Sequence, residues 1–123
     1  GAYVDRLSGG ERKKAFFAMT LAQDTPVVLL DEPTAHLDVV SRFDFMDLLD
    51  RLKNQTGKTF LVVMHELPEV LRCAGGIVAL HDRRVVFQGD AAACLAQEVP
   101  QRVFGVAVSG GRDRGYAVTP LRA

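Results

Sequence analysis

The chain has 123 residues, 48% apolar and 24% charged, which is ordinary for a globular protein and enough for one modest packed core. Fifteen basic and fifteen acidic side chains cancel, leaving no long-range field to gather nucleic acid or an anionic membrane, so partners must be recognised by shape. The longest apolar runs, residues 27–30 and 60–64, fall far short of the roughly 18 residues of a membrane span, and Cys73 and Cys94 lack the CxxC spacing of a zinc site. Two thiols without a pairing framework fit a reducing compartment as packing groups. No secretory signal is visible, and a sequence opening on Gly1 rather than Met is expected to be a piece of a longer polypeptide.

In chain order, Ser8 is placed to cap a helix running to about Gln23, with Phe16, Met19 and Thr20 at helical spacing and Pro26 marking the stop. Residues 27–31 are uninterruptedly apolar up to Asp31, the pattern of a parallel strand covered on both faces. Residues 39–55 put Phe43, Met46, Leu49 and Leu52 on one stripe of an amphipathic helix closed by Gly57. A second buried strand is expected at residues 59–64 and a short helix at 68–73. Residues 77–80 and 84–88 are expected to form a hairpin turned by His81, Asp82 and Arg83. Asp90 caps a small helix through Gln97. Beyond it, Pro100, Gly105 and the cluster Ser109-Gly110-Gly111 are expected to break the chain before a last strand at residues 116–118. Strand and helix alternating in this order predict an α/β fold with parallel neighbours, whose reactive groups sit where the strands end.

Three places carry chemistry. Asp31 and Glu32 stand together at the end of an apolar strand, where ionised acids need a cation or donors. A nucleotide-borne magnesium ion held by Asp31 would supply the cation and leave Glu32 to polarise a water. Ser8, Gly9, Gly10 and Glu11 open a helix, where backbone N–H groups, a hydroxyl and the helix dipole suit a terminal phosphate. His65 follows the second strand directly and could donate to a phosphate oxygen. Each alone equally describes a bland feature: a solvated acidic strand end, a plain N-cap, a structural histidine. Ser109-Gly110-Gly111 repeats the glycine tripeptide ahead of polar residues and no helix, so it is assigned a loop. His36 and His81 are read as surface or turn residues.

Joint order changes the odds. LSGGE, a strand ending LLDEP, then TAHLD, then VVMHE follow one another, and over residues 7 to about 89 the chain resembles the C-terminal half of the nucleotide-binding domain of ABC (ATP-binding cassette) ATPases. The resemblance implies a partial P-loop NTPase fold: a parallel sheet with flanking helices and a C-terminal antiparallel hairpin, divided as a signature helix (1–24), an α/β core (25–89) and an extension (90–123). It further implies that Leu7, Ser8, Gly9, Gly10 and Glu11 form the signature motif, of which Ser8 and Gly10 meet the γ-phosphate of ATP on the opposite subunit of a head-to-tail dimer. Asp31 would serve Mg2+ and Glu32 would be the general base. Asp38 would communicate across the dimer, and His65 would touch the γ-phosphate. Met64 and Glu66 stand where the family usually has Thr or Ser and Asp, mild changes that leave the imidazole available.

The family's glycine-rich lysine loop, GxxxxGK[ST], does not occur in these 123 residues. Phosphoryl transfer depends on that grip, so the isolated chain is expected to bind ATP poorly and not to hydrolyse it. The leading expectation is the ATPase subunit of a membrane transporter, peripheral on the cytoplasmic face of the membrane through permease subunits, with no nucleic acid partner. The segment from Val85 through Asp90 resembles importers. The run from Gln101 through Val106, expected as a strand entered on Val-Phe-Gly, resembles importers of iron complexes such as siderophores or haem and of cobalamin. A soluble ABC-type ATPase of DNA repair or translation is the alternative, opposed by the neutral charge, the absence of a basic stripe and the lack of heptads leading into the signature. A non-catalytic interaction fragment is the third reading.

Overall fold

Residues 27–31 and 59–63 become the two strands that position the candidate site residues. The structure, a computed structural model, describes Glu11, Ala15, Ala18, Met19 and residues 21–121, in two units, Gly1–His65 and Glu66–Ala123. In the first unit the described residues from Glu11 to Ala22 are helical and a turn follows at Gln23. Strand β1 (Val27–Asp31) pairs in parallel with β2 (Thr59–Val63), Leu29 opposite Leu61 and Asp31 opposite Val63. Helix α1 (Val39–Thr56) makes the crossover that parallel neighbours require. At the start of both strands, Lys58 donates to Asp24 Oδ1 at 3.0 Å and to the Thr25 carbonyl at 2.7 Å, and the Thr59 N–H meets the Pro26 carbonyl at 3.0 Å. Those contacts hold the register.

Asp38 caps α1 by accepting from the Ser41 N–H at 2.7 Å, and Gly57, at φ +69, closes it in the left-handed region, as its sequence position predicts. Ser41's backbone N–H is the main reason the Asp38 carboxyl lies below its usual pKa, with the Ser41 hydroxyl second. A carboxyl depressed by folding stabilises above its unfolded pKa and loses that contribution as pH falls through the lower folded value. The thermal midpoint of the native chain is therefore expected to exceed that of Asp38→Ala at neutral pH, and the gap to close as the pH is taken down through and below the ordinary aspartate range. Melts of the two proteins from pH 7 downward, followed by circular dichroism, check this; a gap that is constant over that range would mean that the ionised cap contributes nothing.

Two expectations in this unit need correction. The buried face of α1 is Phe45, Met46 and Leu49, whereas Phe43 is 45% exposed. Residues spaced strictly by three fall back about 60° per step on a 3.6-residue helix, so a stripe drawn from Phe43 rotates off the face that Met46 and Leu49 define. Nor is the β1–β2 pair covered on both sides. Val28 is buried, but Val27, Leu29, Leu61 and Val63, which alternation and register place on the opposite face, are half exposed or more. Met19 is likewise exposed.

In the second unit α2 (Leu67–Cys73) precedes an antiparallel hairpin of β3 (Ile77–His81) and β4 (Arg84–Gly89), with a register shift at Ala79/Leu80. Asp82 and Arg83 turn it at φ +48 and +63, the mirror-image turn that suits the strand twist. Asp90 caps α3 (Ala91–Ala96) by accepting from the Ala93 N–H at 2.8 Å. Leu71, Ile77, Ala79, Phe87, Cys94 and Val99 form the core of this unit. Burial raises the Cys94 thiol pKa, consistent with an inert packing group.

The C-terminal expectations were partly wrong. Pro100 lies in the first turn of α4 (Val99–Phe104), where its missing N–H is harmless. Val103 and Phe104 thus end a helix rather than opening a strand, and Gly105 is its left-handed cap. Ser109-Gly110-Gly111 is not a loop. It is the second half of β5 (Val106–Gly111), paired with β6 (Gly115–Pro120), so the unit holds two antiparallel hairpins where one was expected. Gly110 sits at φ +99, and a Cβ there would lie 2.2 Å from the Gly115 carbonyl oxygen; the glycine admits the close strand approach instead of breaking it. No helix among the described residues is long and apolar enough to cross a membrane.

Candidate functional site

The parallel ladder continues one bond past β1: the Glu32 N–H donates to the Val63 carbonyl at 2.8 Å. Glu32 then leaves the sheet at φ +48, in the left-handed region that is unfavourable for a side chain with a Cβ. This change of direction separates two adjacent acids. Asp31, still in the strand, is exposed opposite Val63, while the Glu32 carboxylate Oε1 meets His65 Nε2. Both partners remain open to solvent, Glu32 at 40% and His65 at 82% of the side chain. A base and an imidazole therefore touch at the C-terminal ends of two neighbouring parallel strands, the edge at which α/β sheets place their reactive groups.

Beyond Glu32 a tight turn leads to α1. The Ala35 N–H donates to the Glu32 carbonyl at 3.1 Å and the Leu37 N–H to the Thr34 carbonyl at 3.2 Å, with His36 at φ +66. The turn ends on Asp38, whose carboxylate is engaged by Ser41. Thr34, the first residue of TAHLD, is 2% exposed, a burial that nothing in its position after a proline announces.

Of the residues expected from sequence, Glu32 and His65 are brought together. Asp31 stands next to Glu32 along the chain, and Asp38 lies at the far end of the turn. Glu11 is exposed on its helix. Leu7, Ser8, Gly9 and Gly10 lie outside the described residues. No three His, Cys, Asp or Glu side chains gather into a metal site among the described residues. An exposed carboxylate such as Asp31 instead fits a hard cation that brings most of its oxygen ligands with it.

The ABC transporter family model matches residues 1–35, spanning LSGGE and the DEPTA strand end. The chain is 47% identical over 103 residues, 84% of its length, to the achromobactin transport ATP-binding protein of Dickeya dadantii. The chain belongs to the ABC transporter family. It is also 41% identical over 118 residues, 96% of its length, to a petrobactin import ATP-binding protein of Bacillus anthracis. Among solved structures, a dimeric bacterial ABC transporter cassette superposes with a TM-score of 0.63 at 33% identity, covering 72% of this chain and 38% of that one. The ABC chain described here spans about two-fifths of the curated relatives it matches, 38% of the first and 43% of the second. The resemblance read from the motif order is thus supported by relatives aligned well beyond Gly89.

Proposed function

We propose that the intact protein is the ATP-hydrolysing subunit of an importer of iron complexes of the siderophore type. The observation that carries the hydrolytic part is the contact of Glu32 with His65 at the ends of β1 and β2; the transport names of the relatives support the substrate class.

In this reading Glu32 accepts a proton from the attacking water, and His65, released from the carboxylate that it meets here, donates to a terminal phosphate oxygen. Asp31 would hold Mg2+ through its water shell. The ion, when bound with ATP, neutralises charge on the phosphates. Leu7, Ser8, Gly9, Gly10 and Glu11 would present N–H groups and a hydroxyl to nucleotide held by a second ABC subunit, and Asp38, at the end of the Glu32 turn, would relay between subunits. A dimeric relative of the same fold supports such pairing. Permease subunits would hold the assembly at the cytoplasmic face of the membrane. Because these 123 residues contain no GxxxxGK[ST] sequence, the activity is assigned to the intact protein and not to this chain alone.

Uptake of iron-loaded siderophores by cells lacking the gene, with and without a plasmid copy, tests the substrate class. Loss and full restoration of radiolabelled iron accumulation is the expected result. Unchanged siderophore-iron uptake with loss of another solute would overturn it.

A further inference from the structure

Thr34 is the residue of the Glu32 turn that neither the ladder nor the cap explains. It is 2% exposed, and its hydroxyl oxygen has no hydrogen-bond partner among the described residues. A hydroxyl withdrawn from water without a partner is unfavourable, and an apolar group of the same shape, such as valine, would avoid the penalty. The two hydrogen bonds within the turn use only backbone atoms, from Ala35 to Glu32 and from Leu37 to Thr34, and leave this side chain out. Glu32 and His36, two residues to either side, are both held in the left-handed region. The turn thus combines backbone strain with an unused buried donor, directly between the proposed base and Asp38.

We infer that Thr34 is a positioning residue for Glu32, its hydroxyl donating to an oxygen of this turn, carboxylate or carbonyl, when the turn rearranges so that Glu32 leaves His65 for the attacking water. A hydrogen bond made in the reacting arrangement and absent from the one described here accelerates the chemical step without tightening the ground state. This inference rests on the hydrolytic reading above. It differs from a structural role in sign: a threonine whose hydroxyl already held the fold together would destabilise on conversion to valine.

The intact protein is compared with Thr34→Val and Thr34→Ser, measuring thermal midpoint and steady-state ATP hydrolysis, with Glu32→Gln in parallel. Thr34→Val is expected to melt at or above the native temperature, to lose roughly tenfold in kcat, as one hydrogen bond in the transition state would give, and to keep its KM for ATP. Thr34→Ser, which restores the hydroxyl, is expected to recover most of the rate. A Thr34→Val protein that fails to fold or melts clearly lower overturns the inference, as does one with native kcat or a serine variant that rescues nothing. If Glu32→Gln is inactive while Thr34→Val runs at the native rate, only this inference falls; a fully active Glu32→Gln removes the hydrolytic reading beneath it.

Discussion

Glu32→Gln in the intact protein is expected to lower the steady-state rate of ATP hydrolysis by roughly 100- to 10,000-fold, the range that a positioned general base contributes, while ATP binding persists. Glutamine keeps the shape and the length of the side chain, so the departure of the chain from β1 at φ +48 and the hydrogen bond from residue 32 N–H to the Val63 carbonyl need not change. What disappears is the charge and the capacity to take a proton. Because the carboxylate that faces His65 is the group lost, the defect belongs in kcat and not in the affinity for nucleotide. Phosphate release under saturating Mg2+ and ATP, with nucleotide binding followed separately, checks both halves. A glutamine variant hydrolysing near the native rate would remove Glu32 from the chemistry.

The second large effect concerns the fold that carries the site. Phe45→Ala is expected to destabilise the first unit by about 3–5 kcal/mol, the range for a phenylalanine removed from a close-packed interior, because Phe45 is 1% exposed on the buried face of α1. Against the roughly 5–15 kcal/mol that holds a typical domain folded, that loss is a large fraction. Phe43→Ala, two residues earlier and 45% exposed, is expected to cost much less. Urea unfolding of the two variants under identical conditions discriminates between them. Equal midpoints would mean that the stripe drawn through Phe43, Met46, Leu49 and Leu52 describes the helix better than the observed face does.

The comparison of Phe43 with Phe45 also shows how far local pattern reaches. The element order from residue 27 to Gln97 was legible because each cue acts within a few residues: Asp90 bonds an N–H group three positions on, and Gly57 turns out of a helix at φ +69. The C-terminal cues misled because the same residue types serve opposite ends. Pro100 begins a helix and Gly110 permits strand pairing, and which role applies depends on the partner segment.

By itself the sequence determined the ABC resemblance through the order of LSGGE, LLDEP, TAHLD and VVMHE, the expectation that Asp31, Glu32 and His65 carry the chemistry, and the residues Gly57 and Asp90 that end α1 and begin α3. Only the tertiary structure decided that Glu32 turns away from Asp31 to meet His65, that Phe45 rather than Phe43 is buried, and that Thr34 lies in the interior with its hydroxyl unpaired among the described residues. The physical reason is range. Caps and turns are closed by atoms a few bonds apart, whereas the position of Glu32 is set by a hydrogen bond to Val63, thirty-one positions along the chain, and no local periodicity encodes which residues such a pairing covers.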